Sequence, residues 1–149
     1  MSKEIQTSDE NQTIEAGSAF SNNLLGKNLS RSIVIFLEGN LGAGKTTFAK
    51  GFAKGLGFSD HVISPTFKLI SEYVGNVNLY HIDCYRIDTS FDFLNIGGEH
   101  YLNPIDGITL IEWPERINNL WSDDWVFIYF ERIDEEPNTR TIKIKGKIS

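Results

Sequence analysis

Residues 39–46 read Gly39-Asn40-Leu41-Gly42-Ala43-Gly44-Lys45-Thr46, which fits G-x-x-x-x-G-K-S/T, the pattern of a loop that binds nucleotide phosphates. The apolar, β-branched run 32–37 before it is typical of a buried parallel strand. Residues 47–54 after it carry apolar side chains at helical spacing. A strand, a glycine-rich loop and a helix in this order predict an α/β protein that binds a nucleotide.

The residue types of the loop explain this expectation. Glycines at 39, 42 and 44 allow unusual backbone angles and let main-chain N–H groups approach an anion. The helix that begins near Lys45 directs its unpaired N–H groups and the positive end of its dipole to the same place. We expect Lys45 to reach the β- and γ-phosphates and the Thr46 hydroxyl to bind Mg²⁺. Thr47 completes the predicted nucleotide-binding segment, residues 39–47.

Length and composition favour one domain over residues 1–149, with residues 1–12 partly flexible. The formal net charge of -6 is unsuited to holding a nucleic-acid backbone, so we expect any RNA contact to run through a partner. The single cysteine, Cys84, cannot form an internal disulfide and is expected to be a buried, inert thiol. Neither a leader-like stretch nor a long apolar run is visible, so we expect a cytoplasmic protein.

Periodicity along the chain predicts the remaining elements. A helix is expected from Thr13, as its N-cap, to about Leu25, and Ile5 is a candidate for a sheet edge. The other predicted elements are strands 68–74 and 77–85 around a Gly75-Asn76 turn, a helix over 90–102 broken at Gly97-Gly98, strand 108–112, a helix from Pro114, and strands 125–130 and 140–145. This order predicts a three-layer α/β fold of the P-loop NTPase type. Its central sheet is expected to be mostly parallel, with antiparallel edge strands.

Two acidic residues follow predicted strands and are candidates for the other half of the site. Asp83 follows strand residues 79–82, and Glu112 follows 108–111. Ligands of open α/β sheets lie beyond the carboxyl ends of the strands, so both acids would face the nucleotide. We expect one of them to hold Mg²⁺ with Thr46, while the choice between them stays open. The alternatives are a surface acid at 112 and a simple ion pair between Asp83 and Arg86.

Three further residues carry weaker signals. Thr66, in Ser64-Pro65-Thr66-Phe67, lies where P-loop GTPases keep a segment that orders around the γ-phosphate, although the residues alone favour an ordinary proline-containing strand entry. His81 is interpreted as a packed residue or as a hydrogen-bond donor behind the acids, and Trp113 as a packed aromatic. The histidines show no zinc-binding spacing.

Four motifs in this order resemble one family, the TsaE (YjeE) family of bacterial P-loop ATPases of tRNA threonylcarbamoyladenosine biosynthesis. The resemblance covers roughly residues 8–145, and a Thr13-x-x-x-Gly17 helix start also matches it. Asn40 and Cys84 stand where the family more often has Asp and Leu, and neither position supplies an essential group. The motifs are the loop 39–47, then Ser64-Pro65-Thr66-Phe67, Tyr80-His81-x-Asp83-x-Tyr85-Arg86 and Ile111-Glu112-Trp113-Pro114-Glu115.

The resemblance implies an ATP- and Mg²⁺-binding protein with weak ATPase activity, which works with TsaB and with the transferase TsaD. It reaches tRNA only through that complex and is expected to be a monomer alone. By position, Lys45 and Thr46 bind phosphate and metal, and Thr66 belongs to the switch-like segment. Asp83 is the Walker-B-like acid, and Glu112, accompanied by Trp113, resembles the acid near Mg²⁺.

Two other functions fit the loop. One is a small-molecule or nucleotide kinase, although no arginine-rich lid is visible in a chain with 14 Lys and Arg residues. The other is a binding module in which ATP only orders a docking surface. The absence of an Asn-Lys-x-Asp element favours adenine over guanine, with residues 9–13 and the late strands as possible neighbours of the base. No arginine finger is evident; Arg86 and Arg116 are possible but unplaced, which predicts slow turnover.

Overall fold

The computed structural model describes residues 2–26, 32–40, 42–58, 69–104 and 107–146. The α-helices are α1 (Glu10–Gly26), α2 (Lys45–Gly55) and α3 (Ser90–Asn95), and two 3₁₀ helices span Gly98–Leu102 and Pro114–Leu120. The strands are β1 (Ser2–Thr7), β2 (Ser32–Glu38), β3 (Ile70–Tyr73), β4 (Asn78–Asp83), β5 (Gly107–Glu112), β6 (Val126–Ile133) and β7 (Glu136–Lys145).

The seven strands form one sheet in the order β1-β7-β6-β2-β5-β4-β3. Strand β2 runs parallel to both β5 and β6, and β4 runs parallel to β5. The pairs β3–β4, β6–β7 and β1–β7 are antiparallel. The predicted fold class, with a mostly parallel centre and antiparallel edges, is therefore confirmed. The carboxyl ends of β2, β4 and β5 lie side by side, which is where a ligand of such a sheet binds.

Helices cover both faces of this sheet. On one face α1 and α2 pack against alternate residues of the central strands, and the fully buried rings of Phe48 and Phe52 belong to this core. A side chain at Gly17 or Gly51 would collide with the main chain of the facing helix, so these glycines let the two helices approach closely. On the other face Phe93 of α3 and Ile117 pack against the remaining strand residues.

The beginning of α1 differs from the prediction. The helix starts at Glu10, not after Thr13, because the Asp9 carboxylate accepts a hydrogen bond of 2.8 Å from the main-chain N–H of Gln12. An aspartate three residues before that amide is a strong N-cap, and it outcompetes the threonine. Thr13 instead lies inside the helix, and its hydroxyl is 2.8 Å from that of Thr7.

The N-terminal segment joins the sheet, as predicted for Ile5, which lies opposite Ile142 in the β1–β7 pair. Flexibility of residues 1–12 in solution stays a prediction. The segment that follows Pro114 is a 3₁₀ helix. Cys84 lies immediately after β4, where burial raises the pKa of its thiol to about 12, as expected for an inert thiol.

Two predicted features lie wholly or partly outside the described residues: the segment 64–67 with Thr66, and Leu41 of the loop. Among the residues that the structure describes, no helix is both long and apolar enough to cross a membrane.

Candidate functional site

The phosphate loop adopts the backbone conformation that its glycines permit. Gly42 and Gly44 have φ angles of 76° and 106°, in the left-handed region. Inside the loop the Ala43 N–H donates to the Asn40 carbonyl over 3.1 Å. Helix α2 begins directly after Gly44, and no side chain caps it. The first N–H groups of α2 therefore stay available to an anion in front of the helix.

Lys45 is buried at the head of α2, with 5% of its surface exposed. Its ammonium donates a hydrogen bond of 2.6 Å to the Gly39 carbonyl and lies 3.5 Å from the centre of the Trp113 ring. Burial lowers the pKa of Lys45, and the carboxylates nearby, Glu112 foremost, act against that shift. The ammonium is thus held beside the loop by one carbonyl and one aromatic face.

Trp113 has the only left-handed backbone of any non-glycine residue that the structure describes, with φ 59° and ψ 51°. This conformation turns the chain sharply at the end of β5, before Pro114. Its ring also packs 5.0 Å from that of Tyr85. A non-glycine residue in this region is disfavoured, so the surrounding packing must hold it there. The turn brings the ring under the Lys45 ammonium.

Glu112, at the end of β5, connects two other side chains. It is 3% exposed, and one of its carboxylate oxygens accepts a 3.3 Å hydrogen bond from the Thr46 hydroxyl. The other oxygen lies 2.6 Å from Nε2 of the fully buried His81. Because a carboxylate only accepts hydrogen bonds, Nε2 carries the donated proton. Nδ1 of His81 has no hydrogen-bond partner among the described residues.

Asp83 stands directly opposite Glu112 in the parallel β4–β5 pair. Its carboxylate accepts a 2.9 Å hydrogen bond from the Tyr85 N–H. Burial raises the pKa of Asp83, while that main-chain bond works against the shift. Within the described part of the chain Asp83 forms no ion pair with Arg86, so the simple ion-pair alternative does not describe this geometry.

These side chains surround one cleft of about 540 Å³. Of the predicted site residues, Gly39, Asn40 and Ala43 belong to the loop but do not line the cleft, and Leu41 and Thr66 lie outside the described residues. The lining residues that the sequence predicted are Gly42, Gly44, Lys45, Thr46, Thr47, Asp83 and Glu112, with Trp113 beside them.

The cleft also contains residues that were not among the predicted site residues. Arg140 of β7 donates a 3.0 Å hydrogen bond from Nη2 to the Gly42 carbonyl, and Asn138 lies near it on the rim. Asp9, Glu10 and Thr13 line the same cleft from the N-terminal side. The sequence pointed to these residues only through the prediction that residues 9–13 and the late strands lie near the base. Arg140 itself belongs to no recognisable motif, because it is one polar residue of a strand in which polar and apolar residues alternate.

The donors at the acidic end of the cleft suit a hard divalent cation. Thr46, Asp83 and Glu112 offer only hydroxyl and carboxylate oxygens, which are the ligands that Mg²⁺ prefers. No group of three or more His, Cys, Asp or Glu side chains in the described ranges could hold a metal by itself. Mg²⁺ sites in proteins commonly consist of one or two carboxylates together with water and substrate phosphates.

Comparisons with known proteins all point to the same family. A family model described as "Threonylcarbamoyl adenosine biosynthesis protein TsaE" matches residues 7–142. The protein named tRNA threonylcarbamoyladenosine biosynthesis protein TsaE from Haemophilus influenzae is 33% identical over 135 residues, 90% of this chain and 85% of its own. The protein of that name from Nostoc is 47% identical over 98 residues, 63% of this chain. That match spans 60% of the Nostoc protein, less than two thirds of its length.

A solved structure agrees with the sequence matches. The crystal structure of Bacillus subtilis YdiB superposes with a TM-score of 0.78 at 30% identity, over 97% of this chain and 84% of YdiB. The superposition covers nearly the whole chain, so the two proteins share the fold described above. On the family match and these relatives, the chain belongs to the TsaE family.

Proposed function

We propose that the protein binds ATP with Mg²⁺, hydrolyses it slowly, and serves tRNA threonylcarbamoyladenosine biosynthesis together with proteins of the TsaB and TsaD type. The observation that carries the proposal is the contact of Thr46, in the phosphate loop 39–47, with the buried Glu112 carboxylate. It joins a phosphate-binding element to an acidic element in one cleft. Membership of the TsaE family supplies the pathway.

The loop end of the cleft would bind the polyphosphate. The N–H groups at the start of α2 and the ammonium of Lys45 are the donors, and helix α2 and the Gly39 carbonyl fix their positions. Pre-positioned donors in a partly buried site stabilise developing negative charge better than mobile ones, because they need little reorganisation. Lys45 would thus assist both binding and the departure of ADP.

The acidic end would hold the metal. Thr46, Glu112 and Asp83 would be its protein ligands or would orient its waters. A bound Mg²⁺ would neutralise negative charge on the β- and γ-phosphates. His81 keeps the Glu112 carboxylate in one orientation, since its Nε2–H occupies the oxygen that faces away from Thr46.

Slow turnover by the isolated chain is part of the proposal. Arg140 lines the cleft with its guanidinium engaged by three main-chain carbonyls, and Arg86 is an exposed residue of the rim. Arg140 is therefore not arranged as a free arginine finger, a group that contributes about 10³- to 10⁵-fold in related enzymes, and we propose that Arg86 does not supply one either. A partner would then complete the site or reorganise the segment around Thr66. The net charge of -6 also fits a protein that reaches tRNA through its partners.

The deciding experiment measures ATP hydrolysis by the purified chain, alone and with TsaB- and TsaD-type proteins, with Lys45→Ala as the control. We expect slow hydrolysis alone, stimulation by the partners, and loss of both in the variant. Tight ATP binding without hydrolysis in either condition would favour the binding-module alternative. Transfer of phosphate to an added pool of small-molecule acceptors would favour the kinase.

A second measurement separates hydrolysis from binding within the pathway. Repeated rounds of tRNA modification are followed in the reconstituted system with ATP, or with a nonhydrolysable analogue replacing ATP at the phosphate loop. We expect the analogue to stop the reaction after the first round. Sustained modification with the analogue would mean that hydrolysis is dispensable.

A further inference from the structure

The β6–β7 hairpin is tied to the phosphate loop by one side chain. Nη1 of Arg140 donates to the carbonyls of Pro137 at 2.6 Å and Thr139 at 3.0 Å, both in its own strand. Nη2 donates to the Gly42 carbonyl at 3.0 Å, 98 residues away in sequence. The guanidinium thus fixes itself on the hairpin and uses its other branch to hold the loop.

A second guanidinium lies near the same glycine, although it does not line the cleft. A Cβ atom built on Gly42 would lie 3.6 Å from Nη1 of Arg132 in β6. In the described part of the chain no carboxylate forms an ion pair with Arg132 or Arg140. Burial, and then the charge of Arg132, lowers the pKa of Arg140. Two cations therefore stand beside the loop, and among the described residues neither forms an ion pair within 4 Å.

Arg140 gives a hydrogen-bond donor to a peptide carbonyl of the phosphate loop. When the N–H groups of a phosphate loop turn towards an anion, carbonyls of the loop turn outwards and need donors. Arg140 gives the Gly42 carbonyl a charged donor, and hydrogen bonds of that kind are stronger than those between neutral groups. The same guanidinium lines the cleft, so its charge also acts on whatever binds there.

We propose that Arg140 is a positioning residue for the nucleotide, which holds the phosphate loop in its binding conformation from the β6–β7 hairpin and, with Arg132, attracts the polyphosphate. The proposal rests on the proposed function, since the ligand is the nucleotide of the same cleft. It makes the hairpin a second nucleotide-binding element beside the β2–α2 loop. A guanidinium that only braced the hairpin would leave nucleotide affinity unchanged.

The test compares Kd for ADP, kcat and KM for ATP, and the midpoint of thermal unfolding in four proteins: the wild type, Arg140→Gln, Arg140→Lys and Lys143→Gln. We expect Arg140→Gln to raise Kd and KM about tenfold while kcat at saturating ATP stays unchanged. Lysine keeps the charge but loses the forked geometry, so Arg140→Lys should lie between Arg140→Gln and the wild type. Lys143→Gln removes an exposed charge of the same strand, paired with Glu131 at 3.6 Å, and should bind like the wild type.

The possible results separate a failure of this inference from a failure of the proposed function. A wild type that binds ADP, with an Arg140→Gln variant that binds it equally well, overturns the inference and leaves the proposed function standing. A wild type that binds no nucleotide overturns both. If Arg140→Gln does not fold, Arg140→Lys decides: a Kd above the wild-type value supports the inference, and an unchanged Kd overturns it.

Discussion

The two rims of the cleft are built from opposite kinds of residue. The acidic rim, formed by Glu112 and Asp83, lies at the ends of two parallel central strands, and its carboxylates are buried or half-buried. The hairpin rim, formed by Asn138 and Arg140, lies on the antiparallel half of the sheet and faces solvent more openly. Under the proposed function these rims would divide the labour: the buried acids would serve the chemistry, and the more accessible hairpin would serve binding.

The surroundings of the rims support this division. Glu112 is held by Thr46 on one side and by the fully buried His81 on the other, so its carboxylate has little freedom. Arg140 is held only by main-chain carbonyls, and Arg132 beside it is exposed. A fixed carboxylate suits a site that must keep one geometry during a reaction. A charged, accessible rim suits the capture of an anion from solution.

The largest effect is expected from Glu112→Gln on the acidic rim. The amide preserves the shape but removes the charge next to Thr46, so kcat should fall about 10²- to 10³-fold. The Kd for ATP measured without Mg²⁺ should change little, because the phosphates bind mainly to the loop. Glu99→Gln, at an exposed carboxylate outside the cleft lining, is the control. If Glu112→Gln lost ATP binding and turnover equally, the acidic rim would serve binding as well as chemistry, and the proposed difference between the two rims would be wrong.

The next effect in size concerns His81, which contacts Glu112 and not the cleft. His81→Phe preserves a buried ring but removes the Nε2–H donor, so the carboxylate is no longer held. We expect activity to fall about 10- to 100-fold and the Mg²⁺ concentration for half-maximal activity to rise. His100→Phe, at an exposed histidine, serves as the control. A lower unfolding temperature with an unchanged Mg²⁺ requirement would assign His81 to packing alone.

The acidic rim could be predicted from the sequence, and the hairpin rim could not, for physical reasons. Parallel strands end at one edge of a sheet, so Asp83 and Glu112 come together whatever the details of packing. The position of Arg140 depends on the register of β7 against β6, which contains an irregularity between Arg132 and Ile133. A single-residue shift of that register would turn Arg140 to the other face.

Two local details also depend on interactions that could not be predicted from the sequence. Thr13 was predicted as the cap of α1, but Asp9 supplies it, since two competing capping residues stood within one turn. The left-handed backbone of Trp113 had no signal, because such conformations are imposed by the packing around them. The predicted roles of Thr46, Asp83 and Glu112 remain predictions until ligand binding is measured.

A smaller effect, on stability, is expected from Glu38, at the end of the strand that separates the two rims. Burial first, and then the charge of Glu115, raises the pKa of Glu38 above its ordinary value of 4.5, while Lys45 acts against this. Between 4.5 and the raised value the folded state binds more protons than the unfolded state, so stability falls as the pH rises through that window. At neutral pH the ionised carboxylate therefore lowers the free energy of unfolding.

Glu38→Gln should accordingly be more stable than the wild type at neutral pH, and its advantage should disappear below pH 4.5. Urea unfolding across this pH range measures the difference, with the exposed Glu135→Gln as the control. An advantage that persists unchanged in acid would show that the charge of Glu38 is not its cause.

The smallest effect is expected from Arg132, and it separates charge from hydrogen bonding on the hairpin rim. Its exposed guanidinium lies near Gly42, and no hydrogen bond from it to the loop is seen among the described residues, so only its charge should act on the nucleotide. Arg132→Gln should raise the Kd for ADP about two- to fivefold at low salt, an amount typical of exposed charges. This difference in Kd between Arg132→Gln and the wild type should vanish near 1 M salt, where the Debye length is only about 3 Å.

The effect of Arg140→Gln on Kd should persist at the same salt concentration, because the hydrogen bond to Gly42 is lost at any ionic strength. If both effects vanish together, the hairpin rim acts through charge alone, and the tie between Arg140 and the loop does not contribute to affinity.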